Sequence, residues 1–343
     1  MIRRLALLVF VVVLAAAGAA AWIYVRTDRP YRGFAEPEVF VDLPQGVGVQ
    51  GIAVRLAAAG VVPDALTFRV AARLSGAERR LQAGEYRFAE EASPSEIVAR
   101  LARGDVARKN LTFPEGLTIR EMGAIFENSG LGTAREFTTA ASDARLVADL
   151  DPDARTLEGF LFPDTYALSR RATAEAAVQA MVARFDRAFD TDLRAAATAE
   201  GLSPREVVTL ASIVEKETAA SEERPLVAAV YRNRLKIGMP LQCDPTVIYA
   251  IMRAGRWRGN LTKQDLQMDS AYNTYRHAGL PPGPIASPGR ASLEAAIHPA
   301  DVPYLYFVSR NDGTHAFAAT LAEHARNVER WQVQYFRNKQ RGR

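Results

Sequence analysis

The chain has 343 residues, 48% of them hydrophobic and 24% charged, which predicts a folded globular protein of two or three domains. The net charge is only +4 and no basic stripe with interleaved aromatic residues appears, so we expect no nucleic-acid partner. A single cysteine, Cys243, excludes an intrachain disulfide and a cysteine zinc cluster, and the four histidines lack the spacing of a metal motif, so we expect neither a metal nor another cofactor.

The N-terminal segment Leu5–Val25 carries no charge and is long enough to cross a bilayer as a helix. Trp22 and Tyr24 lie near its far end, as interfacial anchors do. A cleaved signal peptide is the alternative, because Ala15–Ala21 offers several small-residue cleavage sites. The apolar run continues past those sites, so we favour a retained anchor, with residues 1–4 in the cytoplasm and the remainder exported.

Residues 36–130 repeat a pattern of short strand, turn and amphipathic helix. The predicted strands are Glu38–Leu43 and Glu85–Ala89, and the helices that follow them are Val49–Ala59 and Glu96–Ala102. This pattern predicts a small α+β domain whose core is too slight for much chemistry of its own. Binding and simple spacing are both open as its role.

Residues 109–155 form a connecting segment in this prediction. A short strand at Leu111–Phe113 leads into a helix at Ile119–Asn128, and the polar stretch Ala134–Asp153 is also expected to be helical. The larger domain then begins at residue 156 and is expected to extend to residue 336. Residues 337–343 are a basic tail.

The larger domain opens with Leu157–Tyr166, a stretch dense in aromatic residues that also contains the acids Glu158 and Asp164. Pro163 blocks a regular helix, so this stretch is predicted as loop or edge strand. Ala172–Glu200 is alanine-rich and is predicted as one long helix.

A buried helix is predicted at Val207–Thr218, where apolar residues recur at helical spacing. Its last turn carries two acids, Glu215 and Glu217, which lie symmetrically about the apolar face. Carboxylates at such an edge are costly to desolvate unless they are paired or used. Helical phase alone does not choose between them, and both could simply point into water.

The rest of the domain combines helices with a long loop. Val227–Leu235 and Leu321–Phe336 are predicted helices, and Tyr304–Ser309 with Thr314–Phe317 form a predicted hairpin. Residues 270–290 contain four prolines and three glycines, which predicts an irregular binding or lid loop.

Several polar groups in this domain could converge on one site. They are Glu158, Asp164, Glu215, Glu217, Gln242, Asp244, Thr246, Tyr272, Asn273 and Tyr275. The chain has no nucleophile elbow and no phosphate-binding glycine loop. Carboxyl groups beside aromatic and amide side chains favour acid chemistry on a hydroxyl-rich ligand such as a glycan, for which partial burial raises the pKa of the acid.

Five blocks of the chain resemble the YceG-like family, the endolytic murein transglycosylases also called MltG. The blocks are LEGFLFPDTY at 157–166, ASIVEKET at 211–218, NRLKIGMPLQCDPTVIY at 233–249, AYNTYRHAGLPPGPIASPG at 271–289 and HPADVPYLYFV at 298–308. The resemblance implies an α+β fold with three parts: an N-terminal transmembrane helix, a small LysM-like peptidoglycan-binding domain at 36–108 and a larger catalytic domain at 156–336.

The implied activity is cleavage of the MurNAc–GlcNAc β-1,4 bond within nascent glycan strands, which leaves a 1,6-anhydro-MurNAc end and would terminate strand elongation. The implied location is the inner membrane, with a single pass through residues 5–25 and the bulk of the chain in the periplasm. The implied partners are peptidoglycan strands and the cell-wall synthases.

The family's catalytic acid matches the second glutamate of the EKE sequence, which is Glu217. In the implied mechanism this carboxyl group protonates the glycosidic oxygen and then takes a proton from the MurNAc 6-hydroxyl group. The resemblance assigns substrate binding to six further residues, Asp164, Gln242, Asp244, Thr246, Asn273 and Tyr275. Glu215 is left with a structural role, for which Lys216 and either Arg232 or Arg234 are the expected partners, and Cys243 is not expected to be catalytic.

Two other functions remain open at this point. A hydrolase of the muramidase type would use Glu217 with a second carboxylate from Asp164, Glu158 or Asp244 and would leave a reducing end. A peptidoglycan-binding scaffold without activity would have little need for a buried acid.

Overall fold

The N-terminal apolar segment is one continuous helix, α1 (Ile2–Asp28), in the computed structural model, which describes residues 2–337. The stretch Val9–Asp28 contains an apolar window with a mean hydropathy of 2.0, and no residue of that window is buried within the protein. By length and composition it can cross a membrane, and a signal sequence has the same properties. The helix contains the predicted span 5–25, whereas Met1 and most of the predicted basic tail lie outside the described residues.

The chain divides into two units, the first made of residues 1–109 with 167–171 and the second of residues 110–166 with 172–343. In the first unit, β1 (Val39–Leu43) and β2 (Gly84–Phe88) form an antiparallel pair. The helices are α2 (Val49–Ala58), α3 (Ala65–Leu74) and α4 (Pro94–Arg103). Both strands and all three helices contribute to one hydrophobic core, so the predicted α+β pattern is confirmed.

The second unit begins with two short helices that pack on aromatic side chains. After β3 (Arg108–Thr112), the helices are α5 (Ile119–Asn128) and α6 (Ala134–Ala140). The rings of Phe126 and Phe137 from these helices lie 5.4 Å apart. The prediction of helix over the whole of Ala134–Asp153 is wrong, because α6 ends at Ala140. The Asp143 side chain then accepts a hydrogen bond from the Arg145 backbone and starts a separate 3₁₀ turn.

The stretch 157–164 is irregular, as predicted, and leads into β4 (Thr165–Ser169), which pairs with β3. The predicted single helix Ala172–Glu200 is wrong, because the structure has two helices, α7 (Ala174–Ala188) and α8 (Thr191–Ala199). Phe189 between them is buried, and the Asp190 side chain caps α8 by accepting a hydrogen bond from the Leu193 backbone at 3.0 Å. The N-cap at Asp190 therefore starts a second helix, although the composition on both sides of it favours helix.

The centre of the second unit is α9 (Pro204–Glu217), which packs against α10 (Arg224–Lys236), α11 (Asp244–Arg253) and α12 (Arg290–Ile297). Its eight residues 207–214 are all buried, so the predicted buried helix is confirmed. Residues 270–289 contain no helix or strand, as expected for a long irregular loop.

A hairpin and a helical segment complete the second unit. The strands β5 (Tyr306–Ser309) and β6 (His315–Ala318) pair antiparallel, which confirms the predicted hairpin. Its turn places Asn311 at φ 67° and Gly313 at φ 92°. The final helix α13 (Leu321–Val328) continues into a π-helical turn at Glu329–Gln334.

Candidate active site

Two carboxyl groups lie at the C-terminal end of α9, and the residues that start and end this helix explain why. The helix starts at a capping box in which Ser203 and Glu206 satisfy each other's backbone N–H groups, and Pro204 occupies its first turn. It ends at Glu217, because Thr218 adopts an extended conformation. The apolar face is buried up to Val214, so the last turn carries Glu215 and Glu217 out of the core.

The Glu217 carboxyl group is half-buried and faces donors from other parts of the second unit. Its Oε1 atom accepts a hydrogen bond of 2.6 Å from the Tyr231 hydroxyl of α10 and one of 3.1 Å from the Cys243 thiol. Burial raises the pKa of Glu217, and the nearby Asp244 carboxylate adds to the increase. The two hydrogen bonds and His315 act in the opposite direction. A carboxyl group whose pKa is raised keeps its proton to a higher pH and is therefore suited to act as a general acid.

Glu215 has surroundings of a different kind. Its side chain is only 6% exposed and pairs with Arg224 at 3.1 Å. It also accepts hydrogen bonds from the Gly289 backbone at 3.0 Å and from the Ser292 hydroxyl at 2.8 Å. These contacts join α9 to the end of the long loop and to α12, which is a structural role.

The expected partners of Glu215 are wrong. Lys216 donates to the Gly116 carbonyl at 3.0 Å, and Arg232 pairs with Glu200 at 3.1 Å. Arg234 is buried and donates to backbone carbonyls, including Leu305 at 2.7 Å. Arg224 takes the role instead, because the turn after α9 brings the start of α10 back to the last turn of α9.

Gln242, Asp244 and Tyr275 lie beside Cys243 and retain exposed surface. The Tyr275 hydroxyl donates to Asp244 at 2.6 Å, and burial together with this carboxylate raises the pKa of Tyr275. Gln242 is exposed and adopts φ 50°, a left-handed conformation that is uncommon for a residue other than glycine. A strained backbone next to a candidate acid is typical of a functional site.

Thr246 and Asn273 are buried, and their polar atoms have partners within the protein. The Thr246 hydroxyl donates to the Cys243 carbonyl at 2.7 Å, and the Asn273 amide donates to the carbonyls of Leu266 and Met268 at 3.0 and 2.8 Å. These contacts hold the segment around Cys243 and the long loop in their observed conformations.

The remaining acids of the sequence prediction contact other groups. Asp164 pairs with Arg184 at 2.7 Å, and hydrogen bonds from Thr165 and Arg184 lower its pKa despite some desolvation. Glu158 accepts from the Ile119 backbone at 3.0 Å and from the Tyr249 hydroxyl at 3.1 Å. Among the hydrogen bonds and ion pairs of residues 2–337, neither acid is joined to Glu217.

Sequence reasoning missed two groups around Glu217, Tyr231 and His315. Tyr231 is only 2% exposed, and its hydroxyl is the closest donor to Glu217. His315 lies near this acid while its Nδ1 is 2.7 Å from the carboxylate of Glu223, a buried residue. Of these groups, Tyr231 could have been predicted from the sequence. It lies on an otherwise apolar face of α10, and a buried hydroxyl group needs a hydrogen-bond partner.

The described residues contain no cluster of three or more histidine, cysteine, aspartate or glutamate side chains that could hold a metal ion. The residues that the structure brings together at the candidate site are acids and hydrogen-bond donors. Its centre is Glu217 with Tyr231, Cys243 and His315, and Asp244 with Tyr275 lies beside it.

Comparison with known proteins gives consistent matches. The model of the YceG-like family matches residues 41–330. An endolytic murein transglycosylase of Bacillus subtilis (strain 168) is 31% identical over 319 residues, which are 88% of this chain and 87% of that protein. An endolytic murein transglycosylase of Streptococcus pneumoniae serotype 2 (strain D39 / NCTC 7466) is 31% identical over 354 residues, and the match spans 94% of this chain and 63% of that protein.

A solved structure is also similar. The crystal structure of a yceG-like protein of Listeria monocytogenes superposes with a TM-score of 0.58 at 30% identity. The match covers 84% of this chain and 98% of the Listeria chain.

Proposed function

The chain belongs to the YceG-like family, and from that membership we propose that it is an endolytic murein transglycosylase with Glu217 as its catalytic acid. Its substrate is the MurNAc–GlcNAc β-1,4 bond within nascent glycan strands, and its product has a 1,6-anhydro-MurNAc end. The observation that carries the assignment is the half-buried Glu217 carboxyl group, whose pKa is raised while donors hold one of its oxygens.

The proposed reaction needs one carboxyl group in two successive roles. Protonated Glu217 donates its proton to the glycosidic oxygen as the bond between that oxygen and C1 of MurNAc breaks. The resulting carboxylate accepts the proton of the MurNAc 6-hydroxyl group, whose oxygen forms the new bond to C1. Glu217 therefore ends in its starting state, and no water molecule or second carboxylate takes part.

The hydrogen-bond donors around Glu217 give its two carboxyl oxygens different roles. Tyr231 and Cys243 both contact Oε1, so the other oxygen remains available to the substrate. When the proton has left, the same two donors stabilise the carboxylate. His315, which is held by Glu223, faces the developing negative charge of Glu217.

Substrate binding is proposed for the residues around this acid. Gln242, Asp244 and Tyr275 have exposed surface and suit hydrogen bonds to sugar hydroxyl and acetamido groups. Thr246 and Asn273 support binding by holding Cys243 and the long loop in place. Asp164 is proposed to contribute at a more distant part of the strand.

The first unit is proposed as a LysM-like peptidoglycan-binding domain at residues 36–108. After it, residues 109–155 are proposed as a connecting segment and residues 156–336 as the catalytic domain. The apolar helix is proposed to anchor the chain in the inner membrane through residues 5–25, with the remainder in the periplasm and close to cell-wall synthases. This placement suits an enzyme that acts on strands as they are made.

A two-carboxylate hydrolase is the second candidate, and one observation favours it. Asp244 lies close enough to Glu217 to raise its pKa, so it could orient a water molecule. The two reactions differ in product, because hydrolysis leaves a reducing MurNAc end. A scaffold without activity would leave the strand intact.

The test is mass spectrometry of uncrosslinked nascent glycan strands after incubation with the full chain in detergent. We expect internal cuts that end in 1,6-anhydro-MurNAc, and we expect Glu217→Gln to abolish them without loss of fold. The matched control is Glu222→Gln, which alters an exposed glutamate five residues away and should cleave as the wild type does.

Glu215→Gln separates the catalytic from the structural role. It removes the closer of the two carboxylates that pair with Arg224 and leaves Glu115 at 3.4 Å, so we expect lower stability but residual cleavage with the same product. Complete and equal loss of cleavage in Glu215→Gln and Glu217→Gln, both with normal melting, would contradict Glu217 as the sole acid. Reducing ends would indicate the hydrolase, and binding without any cleavage would indicate the scaffold.

A further inference from the structure

A cavity of about 1140 Å³ lies in the second unit at the far end of α11 from Asp244. Its walls come from the start of α5, the segment 151–160, the last turn of α11 and the loop residues 270–272 and 282–284. Asp244, in the first turn of α11, raises the pKa of Glu217, whereas Arg253, in the last turn, lines the cavity. A helix of this length spans about 14 Å, so α11 connects the candidate active site to the cavity.

The cavity has a surplus of available positive charge. Arg120, Arg155 and Arg253 line it with exposed side chains, and none of them makes an ion pair in the described part of the chain. A fourth arginine, Arg205, is already neutralised by Asp151 at 2.8 Å. Guanidinium groups recognise carboxylates through paired hydrogen bonds, which gives such a cavity a preference for acidic ligands.

Two further acids line the cavity: the exposed Asp153, which offsets one of the three unpaired arginines, and Glu158. Burial raises the pKa of Glu158 to about 7, although the Ile119 N–H group and the Tyr249 hydroxyl donate to its oxygens. Tyr249 and Tyr272 form an aromatic wall with ring centroids 5.0 Å apart, and the Arg253 guanidinium lies 5.1 Å from the Tyr272 ring. The cavity therefore combines an apolar surface, hydrogen-bonding groups and arginines.

This combination does not match the sugars of peptide-bearing murein, which carry no charge because the lactyl carboxyl group of MurNAc is amide-linked to the peptide. It matches the peptide that is attached to the lactyl group of MurNAc, because that peptide has free carboxylates along an extended backbone. A peptide of about five residues reaches roughly 17 Å when extended, which exceeds the length of α11. A peptide on a sugar bound at Glu217 can therefore reach the cavity.

Resting on the proposed function, we propose that this cavity binds the stem peptide of the glycan strand, with Arg120, Arg155 and Arg253 on its carboxylates. The enzyme then selects strands that still carry peptides. Tyr249 and Tyr272 contact the apolar part of the peptide, and α11 sets the distance between the peptide and the bond that is cut.

Direct binding is the first test. The full chain in detergent is titrated calorimetrically with a synthetic stem peptide, L-Ala–γ-D-Glu–meso-diaminopimelate–D-Ala. The double variant Arg120→Gln with Arg155→Gln should bind at least about tenfold more weakly, since both charge-assisted contacts are lost. Neither side chain has a hydrogen bond or ion pair within residues 2–337, so the fold should persist, which circular dichroism checks. Arg135→Gln, an exposed arginine of α6 outside the cavity, is the matched control and should bind as the wild type does.

Cleavage provides the second test and separates the inference from the proposed function. The wild type should cut peptide-bearing strands with a higher kcat/KM than strands stripped of peptides by an amidase. The double variant should lose this preference and still cut stripped strands at the wild-type rate. Equal cleavage of both strands by every variant, or unchanged peptide affinity in the double variant, would overturn the inference and leave the transglycosylase intact.

Failure of the wild type to cut either strand would instead refute the proposed function, and the titration would still decide whether the cavity takes the peptide. Absence of measurable peptide binding to the wild type would overturn the inference whatever the cleavage result.

Discussion

Glu215 and Glu217 lie in the same turn of α9 but have opposite environments. Glu215 is paired with Arg224 and accepts hydrogen bonds from Gly289 and Ser292, so its charge is fully matched. Glu217 has no cationic partner within salt-bridge distance among residues 2–337, and its contacts are the neutral donors Tyr231 and Cys243. An unpaired, half-buried carboxyl group takes up a proton more readily than a paired one. This difference is the physical basis for assigning the acid role to Glu217.

The donors on Glu217 provide a test through the pH dependence of cleavage. A general acid must be protonated, so kcat/KM falls as the pH rises through the pKa of Glu217. Tyr231→Phe removes a hydrogen bond that stabilises the carboxylate, so the pKa of Glu217 should increase. We expect the alkaline limb of the profile to move up by about one pH unit.

Cys243→Ser should shift the same limb in the opposite direction. A serine hydroxyl is a stronger donor than a thiol, so it stabilises the carboxylate more and lowers the pKa of Glu217. The shift should be smaller, about half a pH unit. Profiles of kcat/KM against pH for the wild type and both variants check this pair, and shifts of the same sign would contradict Glu217 as the titrating acid.

At the scale of elements, the irregular stretch 157–164 depends on one glycine. Gly159 adopts φ 85°, and an added Cβ atom would lie 2.4 Å from Cβ of Pro284 and 2.9 Å from Cγ1 of Val208. This close approach packs the stretch against both α9 and the long loop. Glycine is needed there for conformation and for space.

Gly159→Ala should destabilise the protein more than an alanine at a glycine with free space. Gly201 also has a positive φ, 68°, but nothing lies within 4 Å of its added Cβ atom. Gly201→Ala should cost about 1 kcal/mol for the left-handed conformation alone. Gly159→Ala should cost about 3 kcal/mol or more, because overlap with Pro284 and Val208 is added.

Urea unfolding followed by tryptophan fluorescence measures this difference. Gly159→Ala should also reduce cleavage, since the loop 270–289 contributes Tyr275 to the candidate site. Equal urea midpoints for Gly159→Ala and Gly201→Ala would contradict this, because they would show that residues 157–164 accommodate the added methyl group at no extra cost in stability.

At the scale of the whole molecule, Arg26 marks the point along α1 where the exposed apolar part of the helix ends and its contacts with the rest of the first unit begin. Arg26 pairs with Asp64 at 2.5 Å and donates to the Thr67 hydroxyl at 2.7 Å, and Thr27 is buried. The residues before Arg26 have exposed apolar side chains, which include Trp22 and Val25. The membrane-compatible part of α1 therefore ends where its contacts with the first unit begin.

Two truncations test this boundary. A chain that starts at Arg26 should be soluble without detergent and folded, because it loses only the exposed apolar segment. A chain that starts at Pro30 also loses the Arg26 and Thr27 contacts, so its first unit should melt about 5 °C lower. Circular dichroism melts check both, and aggregation of the longer chain with loss of secondary structure would count against the membrane-anchor interpretation.

Much of the local structure could be predicted from the sequence because its causes are local. The buried face of α9, the strands of the first unit and the hairpin around Asn311 follow from hydrophobic periodicity and turn residues. The long helix predicted for Ala172–Glu200 failed because Asp190 caps a new helix in the middle of it. Composition does not reveal such a cap when the flanking residues all favour helix.

The sequence by itself determined that the chain has an apolar N-terminal helix, α+β units and two acids at the end of a buried helix, and its motifs indicated the family. The tertiary structure alone decided how those acids differ, because their partners come from distant positions. Arg224, Tyr231 and Cys243 reach α9 only after α10 and the segment that follows it have folded back. The cavity around Glu158 likewise depends on segments more than a hundred residues apart. Desolvation and pairing are properties of the packed structure, so the pKa of a carboxyl group cannot be read from its neighbours in sequence.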